Sequence, residues 1–362
     1  MYQNYKSKLS DHNLKFPWGK PIEKEAEPLS IYVAGVNELT DRVFMLSDEI
    51  PVLTNLNMIN FDIFRQYFPL IDFNYLVRVI LSFLAMVVGF DSVCGEKQQG
   101  TLKLLLSNAI PRNIVVWGKV ASCFITLIVP FVFTSIFYYI ILAFQPDVHF
   151  SASDNIRLLL MMLLSVIYMS IYLIISVTIS ASSGTAKVSI IKNFIIWTTL
   201  IFIVPNLSSL IANNSGQLTD GRKISDKYLI DLLENAKHIP DSLASEKAFF
   251  NYSTNVLDYR NKLKKHVEAI EWSALLILSN AYNLGITSLA NCGFEDEGHF
   301  RHAILEYQME RFSKKTKFDF EYTSLSLQSS ISTSLKYFLS LFVFTIAMVI
   351  FMANRFNYYD IR

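Results

Sequence analysis

Apolar residues fall along the chain in five long blocks separated by polar stretches. They occupy residues 73–90 (FNYLVRVILSFLAMVVGF), 115–144, 158–181 (LLLMMLLSVIYMSIYLIISVTISA), 189–211 (SIIKNFIIWTTLIFIVPNLSSLI) and 335–353 (LKYFLSLFVFTIAMVIFMA). Each reaches the roughly 20 residues a helix needs to cross a ~30 Å hydrocarbon core. A single block of this kind is compatible with a buried core helix. Five of them predict an all-α integral membrane protein.

The intervening stretches carry other periodicities. Residues 28–54 mix β-branched residues with turn formers and predict short strands and loops. Residues 224–237 place Tyr228, Leu229, Leu232 and Leu233 at helical spacing, with Pro240 as a stop. Residues 254–283 predict a longer helix through Val256, Tyr259, Leu263, Val267, Ile270 and Leu275, and residues 299–312 another through Phe300, Ile304, Tyr307, Met309 and Phe312. The expected organisation is a first outer segment (1–72), four spans (73–211) enclosing a loop at 92–117, a second, mainly helical outer segment (212–333), and a last span with a short tail (334–362). The two outer segments are expected to form one mainly helical extracytoplasmic domain.

Composition agrees with this pattern. The 362 residues are 52% hydrophobic and only 17% charged, against about 25% charged in a soluble domain. A disordered chain and a disulfide scaffold are excluded. The balance of 32 basic and 31 acidic residues lacks the basic excess that nucleic-acid binding needs. The three cysteines, Cys94, Cys123 and Cys292, fall in different regions, so no disulfide is expected.

The basic residues of the short connections alternate. Lys97, Lys103 and Arg112 follow the first block, 145–156 has no Lys or Arg, Lys187 follows the third block, and Arg355 and Arg362 follow the fifth. The positive-inside rule then puts 92–117, 182–188 and the C-terminus in the cytoplasm. The 212–333 segment is too long for the rule to count. Residues 1–72 fall outside, although MYQNYKSKLSDHNLKFPWGK has no signal-peptide core. Either the first span exports them, or a preceding span does; the second is favoured, so six spans are expected in a complete version.

The loop after the first block is the most informative stretch. From Thr101 it predicts a short helix with Leu102, Leu105 and Leu106 on one face and Lys103 and Ser107 on another, ended by Pro111. Gly100 allows the turn into it, and Glu96 and Lys103 flank the apolar face. Such a helix either lies on the inner leaflet or docks into a groove of a soluble partner.

The run Glu96-x-x-x-Gly100-Thr101-Leu102-x-x-Leu105-Leu106-Ser107, followed by Arg112 and Gly118-Lys119, resembles the first cytoplasmic loop of the type-2 ABC exporter permeases. Pro28-Leu29-Ser30-Ile31-Tyr32-Val33 with Gly35, then Leu70-Ile71-Asp72-Phe73, the 284–312 stretch and the terminal Tyr359-Asp360-Ile361-Arg362 are similar to the subgroup with a large extracytoplasmic insertion of unknown function. The family carries a proline soon after the leucine run and a serine before the arginine; Ala109 and Pro111 stand there instead. It also has an N-terminal interfacial helix and an additional first span that this sequence lacks.

The resemblance implies a permease subunit in the inner (plasma) membrane, paired with a second permease as a homo- or heterodimer. It implies a separate P-loop ATPase that binds ATP and Mg. Glu96, Gly100, Thr101, Leu102, Leu105, Leu106 and Arg112 would form the ATPase-coupling loop.

No residue is expected to be catalytic. The nearest approach to G-x-x-x-x-G-K-[ST] is Gly118-Lys119, with Asn113 and Val120 at the other required places. Lys119 reads as a side chain reaching for the membrane surface. Arg78, Lys119 and Lys192 are the cations within the blocks, all three near enough to a span end to reach the membrane surface, and no carboxylate sits mid-span to serve a proton relay. Pro130 and Pro205 are candidate kinks. His299 and His302, at i, i+3, are a weak metal candidate, with an acidic helix start and solvated histidines as the simpler account. The alternative to a transporter is a non-transporting membrane subunit whose outer domain binds a partner.

Overall fold

The computed structural model describes residues 20–24, 27–38, 43–46, 54–55, 71–107, 111–146, 148–207, 210, 264–314 and 322–357, with isolated positions at 254–255, 258, 261–262 and 320. Three short strands, β1 (Lys20–Glu23), β2 (Val43–Leu46) and β3 (Thr54–Asn55), pair antiparallel in that order. Everything else of regular structure is helical. Five helices are long and apolar enough to cross a membrane: Phe73–Gln99, Ile114–Ala143, Ala152–Ser182, Ala186–Ile203 and Leu327–Arg355. They coincide with the five apolar blocks.

We label the helices α1 (Phe73–Gln99), α2 (Thr101–Ser107), α3 (Arg112–Ala143), α4 (Ala152–Ser182), α5 (Ala186–Ile203), α6 (Leu278–Leu289), α7 (Phe294–Lys314) and α8 (Leu327–Asn357). Their starts follow local chemistry. Asp72 caps α1 by accepting from Tyr75 N at 2.7 Å. Ser151 and Asp154 form a reciprocal capping box on α4. Pro111 precedes α3, and Pro130 lies inside it, where Thr134 Oγ1 donates to the Pro130 carbonyl at 2.8 Å. Pro205 falls in the turn after α5 rather than within it.

α4 is the axis of the bundle. Its C-terminal part is buried on every side, from Ile171 to Ala181, and it packs against α1, α3, α5, α6 and α8. Gly89 of α1 sits against Ser176 of α4, where an added Cβ would lie 2.8 Å from the serine Cβ. Small residues at such crossings let helices approach closely.

One expectation is corrected. The helix predicted over 254–283 is broken. Residues 264–274 are helical, Ile277 is extended, and α6 starts afresh at Leu278. The two arms form a hairpin against α8: Lys336 pairs with Glu271, and Ser340 Oγ donates to the Leu275 carbonyl. α6 is buried on nearly all sides, with Tyr282 stacked on Tyr168 at 4.4 Å and bonded to Ser165 at 3.0 Å. Periodicity missed the break because 275–277 are apolar and contain no glycine or proline. Within residues 28–54, where short strands and loops were expected, β2 and the start of β3 are strands, and residues 28–38 add two 3-10 turns, Pro28–Ile31 and Gly35–Glu38. The helix expected at 224–237 lies outside the described residues.

The end of the bundle opposite α2 is tied by polar contacts. Val36 N donates to the Cys292 carbonyl at 2.8 Å, and Gly35, at φ 55°, leaves no room for a Cβ beside it. Buried Lys24 bridges Asp296 at 2.6 Å and Glu297 at 3.3 Å, and the Tyr322 hydroxyl donates to Asp296 at 3.0 Å. Arg157 pairs with Asp154 and donates to the Leu325 carbonyl at 2.7 Å. Burial pushes the Glu27 carboxyl up from its ordinary 4.5, Asp296 adds to the rise, and Arg157 opposes it.

A raised carboxyl binds more protons in the folded state than in the unfolded one, so folding is favoured as pH falls and weakened as pH rises through the range above 4.5. Glu27→Gln is therefore expected to raise the thermal midpoint at pH 7.5 and to flatten its pH dependence between pH 4.5 and 7. At the α1–α4 crossing, Gly89→Ala is expected to cost about 1–3 kcal/mol through overpacking, read as a lowered melting temperature in detergent. Gly184→Ala, with nothing within 4 Å of its added Cβ, should leave it unchanged.

Candidate functional site

The loop singled out in the sequence becomes an elbow. α1 is interrupted after Gly89, turns over residues 90–93, and resumes as Cys94–Gln99. A break strands backbone groups that would otherwise bond within the helix. Ser180 of α4 accepts from both Val93 N at 3.0 Å and Cys94 N at 3.1 Å. Ser189 of α5 donates to the Phe90 carbonyl at 2.7 Å. One turn earlier, Ser176 of α4 donates to the Met86 carbonyl at 2.6 Å. The elbow is thus held by three serines from two neighbouring spans.

Beyond the elbow, Gly100 ends the short segment in the left-handed region at φ 78°, and its N–H bonds to the Lys97 carbonyl. Nothing lies within 4 Å of a Cβ added there, so the glycine is needed for its backbone angle alone. Thr101 starts α2, and its hydroxyl donates to the Glu96 carbonyl at 3.2 Å. Glu96 itself forms an ion pair with Lys119 on α3. The pair is about a quarter exposed at both ends, so it orients the elbow more than it stabilises the fold.

The leucines of α2 divide differently from the expected docking face. Leu102 is 3% exposed and belongs to the main core, and Leu105 packs against that core. Leu104 is 70% exposed, flanked by exposed Thr101, Lys103 and Ser107. Leu102 and Leu105, two of the three leucines on the face read from the spacing, turn toward the chain's own bundle. The surface open to another molecule is the opposite one. Leu106 lies in α2 and Arg112 opens α3; their side chains lie outside the described residues.

Sequence reasoning does not reach four contributors. Lys119 was read as reaching for the membrane surface, whereas it turns to Glu96. Ser180 and Ser189 gave no signal, because a serine in an apolar span carries no mark of the long-range bond it makes. Leu104 was passed over because it breaks the i, i+3, i+4 pattern.

The weak metal candidate is not assembled. His299 and His302 both stand exposed on α7, and His302 lies 3.3 Å from Glu306 one turn on. Among the described residues no three His, Cys, Asp or Glu side chains are placed to hold a metal ion.

Comparison with known families matches residues 28–358 to the ABC-2 family transporter protein. No curated protein sequence matches the chain. The match spans most of the chain, which therefore belongs to the ABC-2 transporter family, a family of membrane subunits that are typically non-catalytic and generally partner an ATPase.

The two faces of α2 separate by stability. Leu102→Asp puts a charge into the core and is expected to destabilise the protein by several kcal/mol, seen as a large drop in melting temperature. Leu104→Asp, on the open face, should change it by less than about 0.5 kcal/mol.

Proposed function

We propose that this chain is the membrane-spanning permease subunit of an ATP-driven exporter, with hydrolysis of ATP-Mg in a separate P-loop ATPase. It would sit in the inner (plasma) membrane as half of a permease dimer, homo- or heterodimeric, with its C-terminus and the 92–117 loop in the cytoplasm and residues 1–72 and 212–333 largely outside. The family membership supports a transport role. The observation that carries the coupling part is the elbow, because α2 presents an open face at Leu104 while the segment it hangs from is bonded to α4 and α5.

A push on α2 by a closing ATPase would pass through Gly100 into Cys94–Gln99. From there Ser180 and Ser189 would carry it to the two neighbouring spans. Glu96 and Lys119 would tie α3 to the same motion. Of the residues predicted to couple, Glu96, Gly100 and Thr101 act in shaping the elbow, and Leu102 and Leu105 anchor α2 from behind. Leu104 and Lys103 supply the contact surface. The chain needs no nucleotide site of its own for this role.

The test is a mild-detergent purification from native membranes, scored for a co-purifying P-loop ATPase. Wild type should retain the ATPase, Leu104→Asp should lose at least about 90% of it, a change of some 1.4 kcal/mol or more, and both proteins should melt at the same temperature. Retention by Leu104→Asp would remove α2's open face from the interface. Absence of an ATPase from wild type would favour a non-transporting subunit whose outer segments bind a partner.

A further inference from the structure

Arg78 departs from the rule that the other shielded cations obey. Among the described residues, Lys24, Lys119, Arg157 and Lys336 are the remaining Lys or Arg side chains that are not exposed, and each has a carboxylate partner. Arg78 is half-buried in α1, about a turn and a half from its start, and no hydrogen bond or ion pair among the described residues engages its guanidinium. The nearest acid in sequence, Asp72, does not supply one. Its two oxygens accept from Tyr75 N at 2.7 Å and Ala34 N at 3.1 Å. An unpaired cation within a membrane span is costly, and such residues mark ligand paths.

The surroundings are built for polar contact. Asn74, Arg78 and Ser82 follow one another at four-residue spacing on α1. Asn74 Nδ2 donates to Asn283 of α6 at 2.6 Å, whereas Asn74 Oδ1 is buried without a partner. Leu76–Leu81 is wound as a π-turn, a local unwinding common at functional sites. The Arg78 carbonyl accepts from Ser82 Oγ at 2.6 Å and the Tyr168 hydroxyl at 3.2 Å. The Tyr168 hydroxyl lies in turn 3.2 Å from the Tyr172 hydroxyl. On the neighbouring surface of α1, Leu76, Ile80, Phe83 and Leu84 are exposed and apolar. A ligand arriving from the bilayer meets an apolar strip beside a cation that lacks a counter-ion.

We propose that Arg78 is the subsite for the acidic headgroup of the amphiphile this permease carries, a carboxylate or phosphate on a membrane-dissolved molecule. The inference rests on the transport reading above and adds the substrate class to it. The guanidinium offers a planar fork of donors that grips either anion bidentately. The apolar body lies along Leu76, Ile80 and Leu84. A free anion would lack that second contact.

The test uses the full chain purified in mild detergent and incubated with equal amounts of isotope-labelled phosphatidylglycerol and phosphatidylcholine, with retained lipid counted after gel filtration. A parallel arm uses oleate against oleyl alcohol. Wild type should prefer the anionic member about tenfold, the scale of one charge-assisted contact. Arg78→Lys should keep several-fold preference, and Arg78→Gln should fall to parity with an unchanged melting temperature. Wild type without preference, or Arg78→Gln with the wild-type preference, would overturn the assignment. So would displacement of phosphatidylglycerol by millimolar inorganic phosphate, which would mark a site for free anions. ATPase retention is scored on the same preparations. Its loss with lipid preference intact would sink the transport reading, whereas its retention without lipid preference would sink the subsite.

Discussion

A helix break inside a membrane must find hydrogen-bond partners in the protein, because hydrocarbon offers none. This constraint organises the bundle. The π-turn in α1 is met by Ser82 and Tyr168 at the Arg78 carbonyl. The elbow after Gly89 is met by Ser180 and Ser189. The break between residues 264–274 and α6 is met by Ser340 at the Leu275 carbonyl, and the chain after α5 by Asn280, whose Nδ2 donates to the Pro205 carbonyl at 3.3 Å. Each irregularity is thereby tied to a different helix, so the breaks act as joints rather than weak points.

The joints also explain why α4 is so deeply buried. Its serines serve α1 and its tyrosines serve α1 and α6, and a side chain can do this only when the helix is enclosed. Ser176 and Ser180 face α1 along the same stretch where Gly89 lets the two helices meet closely. The elbow is thereby held directly against the centre of the bundle. At the other end, Arg157 at the head of α4 reaches the Leu325 carbonyl and lies 3.4 Å from Ser330 of α8, while Asn291 bonds to the same two residues. The axis helix is held at both ends by polar contacts and in its middle by packing.

The hairpin of residues 264–289 changes the character of the second polar segment. Part of it is inserted beside α8 and α4, where Gly285 would bring a Cβ to 2.9 Å from Leu164 and 3.2 Å from Tyr337. Lys24 and the 292–297 turn then link the first polar segment to α7 immediately beyond that insertion. Among the described residues, the segments at 27–38 and 291–297 are thereby joined to the bundle.

The five apolar candidate spans and the short helix after Gly100 were legible in the sequence, though several span ends fall six to nine residues from the ends of the apolar blocks. Hydrocarbon thickness sets helix length, and apolar run length records it directly. The bounds of that short helix were legible because Gly100 and Pro111 are local signals. Three things were decided only by tertiary structure. α2 shows its leucine face to its own bundle, so Leu104 is the exposed residue; amphipathicity identifies a face but not which neighbour covers it. Lys119 meets Glu96 across 23 positions, and Ser180 meets Val93 across 87, distances over which spacing rules carry no information. The break at 275–277 was hidden because apolar residues suit a helix and a buried turn equally well, and only the partner at Ser340 selects the turn.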